Sequence, residues 1–245
     1  MSTLFVAWQA PAPTRAWFPI GRLDVENHER FLFRYTQGAR DAHAQSGFAP
    51  LVSFPSFEGR YESSELFPIF KNRVLDSKRN DFAEYLGWLD LDPANADPIE
   101  ILGLTGGERQ TDSLEVFPKI IKRPDRSFSC RFFLHGLRYV SEPARSRANQ
   151  LPSGEPLQIA VELNNPTGLA IQLQTSDGYM IGWAPRYLVR DLIEVINVHP
   201  EVSAAVVRVN EYGAPLARRI LVDLKGRLPA NHEPMSGGQF ELIVP

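Results

Sequence analysis

Two side chains of complementary chemistry stand side by side at Arg138 and Tyr139, in the stretch RFFLHGLRYV. A guanidinium pairs with phosphate oxygens, and an aromatic ring stacks on a nucleobase. Gly136 precedes them, and its missing side chain would let the backbone approach a bound ligand closely. A plain core strand has no use for a cation beside a ring at its tip, so the pair predicts a nucleic-acid contact.

The same sequence lacks the familiar catalytic patterns. Its five histidines are scattered without metal-ligand spacing, and no HExxH, GxSxG, GxGxxG or GxxxxGK[ST] motif occurs. Cys130, the single cysteine, excludes an intramolecular disulfide and is expected to be a buried small hydrophobe. Asp90 and Asp92 form a candidate carboxylate pair, with solvated turn residues as the alternative. We therefore predict a protein that is not an enzyme and uses no cofactor or metal.

Charge is unevenly distributed along the 245 residues, although the net charge is only -3. Residues 1–118 hold 11 Lys/Arg against 17 Asp/Glu, whereas residues 119–245 hold 15 against 12. Eight basic residues fall within 119–147, where the acids are Asp125 and Glu142. This excess indicates a phosphate-binding surface, with a solvated basic face as the alternative. No apolar run reaches the roughly 18 residues of a membrane span and no signal peptide is visible, so we expect a cytoplasmic protein.

Most of the secondary-structure elements that the sequence predicts, and that would position Arg138 and Tyr139, are short strands. The first half predicts strands near 3–8, 17–25, 30–36 and 112–121, and helices over 63–70, 77–89 and 92–107. Ser77 is expected to cap the second helix, and the third is expected to stop at Gly106. The second half predicts strands near 129–137, 155–163, 169–175, 179–185, 202–212 and 218–228, with one helix over 186–196. Several strands with one helix indicate a small barrel or a strongly curved sheet.

The second half resembles the HIRAN domain over about residues 128–225. Four motifs carry the resemblance in order: GLRY, LPSGEPLQIAVEL, NNPTGLAI and GWAP opening a helix. The resemblance implies an OB-like β-barrel that binds DNA, either single strands or ends. It implies these site residues: Arg138 for phosphate, Tyr139 for stacking, Asn165 at the bordering turn, Trp183 and Arg186 on the far wall, and Tyr212 as a second stacking ring.

Each implied site residue has an ordinary structural alternative. Tyr139 would pack at the barrel end with its hydroxyl in water, Trp183 would belong to the core, and Asn165 would form an Asx turn. Arg186 would merely follow Pro185 at a helix start. The family often has an aromatic residue and an aspartate after Asn-Pro, where this chain has Thr167 and Gly168. We therefore expect only a modest preference for a free 3′ hydroxyl.

The first half resembles the small N-terminal subdomain of HipA-family toxin kinases over about residues 4–118. The motifs are WFPIGRLDV, RFLFRYTQGA, PLVSFPSF, ELFPIFKNRVLDSKR and EILGLTGGERQTDSLEVFP. We expect residues 119–245 not to form the kinase domain that follows in that family, because they are too few to hold it. In the segment 63–75 we expect Phe67 and Phe70 to be buried and Lys71 and Arg73 to face outward.

These observations predict an α+β protein with a HipA N-terminal-like module over 1–118, a basic linker over 119–127, a HIRAN-like barrel over 128–230 and a tail over 231–245. The barrel is expected to fold alone. The predicted function is a non-enzymatic DNA-binding adaptor of a bacterial toxin-antitoxin or defence system. Its partners would be DNA and a protein such as a HipA-family kinase or its antitoxin, without a membrane. The alternative is an antitoxin-type inhibitor of a HipA-like kinase with no direct role at DNA.

Overall fold

The computed structural model describes residues 2–109, 111–166, 168–198 and 201–245, apart from the side chain of Val198. The chain divides into two compact units. Unit 1 consists of Met1–Arg79, Asp97–Lys119 and Met235–Pro245, and unit 2 of Asn80–Ala96 and Ile120–Pro234. Residues 80–96 from the first half thus belong to unit 2, and the C-terminal residues belong to unit 1.

Eleven strands and six α-helices are present in the described residues. The strands are β1 Ser2–Gln9, β2 Trp17–Glu26, β3 Arg30–Tyr35, β4 Arg60–Ser63, β5 Leu114–Pro118, β6 Ser127–Phe133, β7 Pro156–Glu162, β8 Ala170–Gln174, β9 Met180–Trp183, β10 Val202–Val209 and β11 Ile220–Arg227. The helices are α1 Gln37–Ser46, α2 Pro68–Lys71, α3 Phe82–Leu89, α4 Pro98–Thr105, α5 Glu142–Ala148 and α6 Arg186–Val198. None of the described helices is long and apolar enough to cross a membrane.

Unit 1 is built on a five-stranded antiparallel sheet in the order β4-β3-β2-β1-β5. Its core is strongly aromatic, and Phe33 stacks on Phe54 with 4.0 Å between the ring centroids. Tyr35 is fully buried, and its hydroxyl donates to the carbonyl of Phe54 at 2.8 Å. Burial of a tyrosine with such a partner satisfies its polar end while its ring adds apolar area to the core.

Helix ends in the first half follow local chemistry, with two corrections to the sequence predictions. Helix α4 begins after Asp97, whose carboxylate accepts from the N–H of Ile99, and it ends at Gly106 with φ 71° as predicted. Helix α3 begins only after Asp81, so Ser77 is not its cap. The helix predicted over 63–70 is also wrong, because β4 extends to Ser63 and the helix starts at Pro68. Proline suits the first position of a helix, because a backbone N–H at that position would have no acceptor within the helix.

Arg73 does not face outward as predicted, because its side chain is only 1% exposed. Its Nη2 pairs with the Asp112 carboxylate at 2.5 Å, and its Nη1 donates to the Gly107 carbonyl at 2.7 Å. Phe70 is fully buried and Lys71 is exposed, as predicted, whereas Phe67 is only half-buried. The arginine therefore ties the segment after α2 to the loop that precedes β5.

Unit 2 contains a curled six-stranded antiparallel sheet in the order β6-β11-β10-β7-β8-β9. The chain just beyond β6 meets the opposite edge, where His135 and Trp183 exchange two backbone hydrogen bonds at 2.9 and 3.0 Å. The sheet is thus a half-barrel joined at one end, which is consistent with an OB-like fold. Helix α6 contacts β8 and buries Leu188, Leu192 and Val195.

The segment 119–127, predicted to be a linker, makes specific contacts from Ile120 onward within unit 2. Lys122 Nζ donates to three backbone carbonyls, those of Pro229, Ala230 and His232, at 2.8–3.0 Å. Arg123 donates its backbone N–H to the Ser127 carbonyl at 2.9 Å, which closes a turn before β6. The independent folding of residues 128–230 stays a prediction.

Candidate nucleic-acid interface

Arg138 and Tyr139 lie on a short 3-10 turn that begins after Gly136 and is anchored by buried Leu137. Both side chains are exposed, Tyr139 to 65%. The Arg138 guanidinium carbon lies 4.6 Å from the centroid of the Tyr139 ring, a cation–π distance. Among the described residues Arg138 forms no ion pair. The turn therefore presents a cation and a ring together on the surface.

Gly136 has a structural role that was not predicted from the sequence. Its φ is +75°, and a Cβ atom built there would lie 2.4 Å from Cε3 of Trp183. The space that the glycine leaves open is therefore filled by the indole of Trp183. The contact with Trp183 is thus a structural reason for a glycine at this position, and the approach of a ligand to the Gly136 backbone stays a prediction.

Glu162, at the end of β7, connects two of the predicted site residues. Its Oε2 accepts from Trp183 Nε1 at 2.5 Å and from Asn165 Nδ2 at 3.2 Å. Trp183 and Asn165 are both half-buried. The structure thus brings Trp183 and Asn165 together near Gly136, at the end of the half-barrel that carries Arg138 and Tyr139. A role for Glu162 was not predicted from the sequence, although this carboxylate lies only three residues before Asn165.

The remaining two predicted residues are less closely tied to this group. Arg186 is the first residue of α6 and is half-buried, with an interaction partner inside the chain. Tyr212 is 84% exposed in the loop between β10 and β11. Its ring centroid lies 5.1 Å from Cζ of Arg219, and its hydroxyl is 3.4 Å from Asn149 Nδ2. The same loop contacts the Arg138 turn through residues 216–218.

The loop between β7 and β8 presents apolar side chains next to Asn165. Leu163 is 72% exposed and Leu169 is 52% exposed. Gly168 adopts a φ of 101°, which a side-chain-bearing residue rarely reaches. Thr167, the other departure from the family pattern, lies outside the described residues.

Most of the basic residues between 119 and 147 are engaged within the protein. Arg131 pairs with Asp90, Arg145 with Glu142, and Arg147 with both Glu155 and Asp177. Lys122 and Arg123 bind carbonyl and hydroxyl oxygens. Their charge is thus largely committed to the fold. The basic surface that remains available for phosphate is therefore smaller than the sequence predicted, and it includes Arg138.

The candidate catalytic residues have structural roles. Cys130 is half-buried on β6 rather than fully buried as expected. Its desolvation, aided by the charges of Asp223 and Asp191, raises the pKa of the thiol to about 12, so the nucleophilic thiolate is suppressed at neutral pH. Asp90 pairs with Arg131 at 2.5 Å and with Arg208 at 3.4 Å. Asp92 caps a 3-10 turn, and hydrogen bonds from Ala94 N–H and Asn95 lower its pKa. Within the described parts of the chain, no group of three or more His, Cys, Asp or Glu could hold a metal ion.

No protein-family model matches the chain, and no curated protein matches it. Two solved structures are similar to part of it. A protein from Lactobacillus plantarum is 15% identical, over 42% of this chain and 99% of that one, with a TM-score of 0.33. The HIRAN domain of human HLTF is 18% identical, over 46% of this chain and 91% of that one, also with a TM-score of 0.33. The HipA-like assignment of the first half stays a prediction.

Proposed function

We propose that unit 2 binds DNA, as a single strand or at an end, through the turn that carries Arg138 and Tyr139. The observation that carries this proposal is the exposed cation and ring side by side on that turn. An arginine without an ion pair is available for a phosphate, and an exposed ring is available for a base. Stacking does not read sequence, so the proposed binding is sequence-tolerant.

Trp183, Glu162 and Asn165 shape the end of the half-barrel beside this turn. Glu162 brings a negative charge, which disfavours phosphate in its immediate surroundings. Its carboxylate is instead suited to accept a hydrogen bond from a sugar hydroxyl or a base amino group. We therefore propose that phosphate lies on the Arg138 side and that the nucleoside approaches the Glu162 side.

Replacing Arg138 with alanine is expected to weaken binding of a single-stranded oligonucleotide by about 1–2 kcal/mol, the scale of a charge-assisted hydrogen bond. It should also reduce the salt dependence of binding by roughly 0.7 in slope, since one phosphate contact is lost. Tyr139→Ala should cost about 1–3 kcal/mol with little change in slope, because a stacked base releases few ions. Fluorescence anisotropy at two salt concentrations measures both quantities.

Matched controls separate this site from general effects of charge and aromatic content. Arg227→Ala removes a half-exposed arginine of β11 that pairs with Glu201, and Tyr179→Ala removes a partly exposed ring between β8 and β9. Both controls should leave affinity nearly unchanged. Unchanged affinity in Arg138→Ala and Tyr139→Ala, or equal losses in the controls, would remove the DNA-binding assignment. Oligonucleotides with a 3′ hydroxyl and a 3′ phosphate should differ only modestly, because Gly168 supplies no acid.

For unit 1 we propose a protein-binding role without enzymatic activity, supported by the HipA-like motifs of the sequence. The partner would be a HipA-family kinase, its antitoxin or another defence protein in a bacterial cytoplasm. The alternative is that the chain inhibits such a kinase and that unit 2 serves only in assembly. Co-purification with a HipA-family kinase while the anisotropy signal is absent would favour this alternative. ATP turnover by the purified chain would contradict both versions.

A further inference from the structure

Three arginines form a row across neighbouring strands of unit 1. The strand register places Arg22 of β2 opposite Arg34 of β3, and Arg34 opposite Arg60 of β4. Residues directly opposite one another in antiparallel strands project from the same face, and adjacent strands are about 4.8 Å apart. Like charges in this arrangement destabilise the sheet unless anions compensate them.

Asp24 compensates only part of the row. This carboxylate is 1% exposed and accepts from Arg22 Nε at 2.8 Å and from Arg34 Nη2 at 2.9 Å. Thr3 donates its hydroxyl to the same carboxylate at 2.7 Å. One negative charge is therefore shared between two guanidinium groups. Arg34 also has a buried Nε–H that finds no acceptor in the described part of the chain, and an unsatisfied buried donor of this kind is costly.

Arg60 is exposed and forms no ion pair or side-chain hydrogen bond with the residues that the structure describes. The nearest acid in the register, Glu62, is already bound by Arg30 through Nε at 2.7 Å and Nη2 at 3.1 Å. These hydrogen bonds, with a smaller contribution from the charge of Arg60, lower the pKa of Glu62. On β2, β3 and β4 this face thus carries four arginines against three acids: Arg22, Arg30, Arg34 and Arg60 against Asp24, Glu26 and Glu62.

We propose that Arg60 and Arg34, assisted by Arg22, bind a phosphate group on this face of unit 1. Guanidinium groups match the geometry of phosphate oxygens and donate two hydrogen bonds at a time. A bound phosphate would supply the missing anion and relieve the repulsion between Arg34 and Arg60. The phosphate would be carried by a phosphorylated side chain or a small phosphorylated molecule. This site lies in a different unit from the proposed DNA site and does not depend on it.

Thermal unfolding of the full chain tests the proposal, with inorganic phosphate and chloride compared at equal ionic strength. Wild-type protein should unfold at a higher temperature in phosphate. In chloride, Arg60→Gln should leave the unfolding temperature unchanged or raise it slightly, because a repulsion is removed. In phosphate the same variant should lose the stabilisation and bind phosphate on the order of tenfold more weakly, as expected for one charge-assisted contact. A purely structural arginine would shift the temperature in the same direction in both salts.

Arg40→Gln is the matched control, since Arg40 is a half-exposed arginine of the same unit that pairs with Glu58 outside the row. It should retain the full phosphate effect, as should Arg138→Ala in unit 2. Titrations with O-phosphoserine and with adenosine monophosphate distinguish the carrier, and tighter binding of either one that depends on Arg60 supports the site. Equal responses of Arg60→Gln and Arg40→Gln, or no stabilisation by phosphate over chloride, would overturn it.

Discussion

Replacing Asp112 with alanine is expected to lower the free energy of unfolding of unit 1 by about 3 kcal/mol, the lower end of the range for breaking a buried ion pair. The cause is Arg73, whose side chain is 1% exposed and would keep its charge without its counter-ion. The remaining acceptors of Arg73, the carbonyls of Gly107 and Ile69, are neutral. We place the loss at the lower end because the Asp112 side chain is 32% exposed, so water screens part of the pair.

Chemical denaturation followed by circular dichroism measures this loss. Asp112→Asn separates charge from hydrogen bonding, because it retains an oxygen that can accept from the Leu114 N–H as the carboxylate does. Asp41→Ala, which removes an exposed acid of α1, is the control and should change stability by less than about 0.5 kcal/mol. In a background where Arg73 is methionine, the loss from Asp112→Ala should shrink, since no buried charge is left unpaired. A loss of the same size in that background would show that the ion pair is not the cause.

Gly136→Ala is expected to destabilise unit 2 by about 2–5 kcal/mol through two separate effects. A left-handed backbone costs an L-residue roughly 1–2 kcal/mol, and φ at this position is +75°. The new methyl group would also lie 2.4 Å from the Trp183 ring, and such overpacking typically costs about 1–3 kcal/mol. Because the ring bonds to Glu162, we also expect DNA binding to weaken when it is displaced.

Gly154→Ala is the matched control, because Gly154 has φ +85° with no atom within 4 Å of the position of a Cβ. It should show the backbone cost alone, so the difference between the two variants reports the contact with Trp183. Tryptophan fluorescence during denaturation provides the measurement. If the two glycine variants lose equal stability, the indole does not fill the space beside Gly136. The loss from Gly136→Ala should also be smaller in a Trp183→Ala background.

The strands were largely predictable, whereas two helices were not. Alternation of apolar and polar residues marks β8, AIQLQ, and a cluster of aromatic residues marks β3, RFLFRY, directly in the sequence. Helix α1, QGARDAHAQS, has alanine as its only apolar residue type, so it shows no strong apolar stripe. Helix α5, EPARSRA, is short and polar, and the only sequence signal of its start is Ser141, the capping residue before it. Such segments become helical through tertiary packing and capping, which local periodicity does not report.

The candidate site was predictable only where its chemistry lies in adjacent residues. Arg138 and Tyr139 are neighbours in sequence, so their joint exposure at a turn could be inferred. The positions of Gly136 and Glu162 relative to Trp183 depend on how β6, β7 and β9 meet across the curled sheet, which sequence spacing does not give. Arg73 was misjudged for a similar reason, because its partner Asp112 lies 39 positions away.

The interleaving of the two units fixes the order in which the protein is completed during synthesis. Residues 235–245 belong to unit 1, where the Gln37 N–H donates to the Glu241 carbonyl and the Ile243 N–H to the Tyr35 carbonyl. A ribosome releases the chain from its N-terminus, so these partners of β3 and α1 emerge only after all of unit 2. During synthesis, the sheet of unit 1 therefore lacks its contacts with residues 235–245 until the strands of unit 2 have been synthesised. Unit 1 therefore reaches its full set of contacts only after the residues of unit 2 have been synthesised.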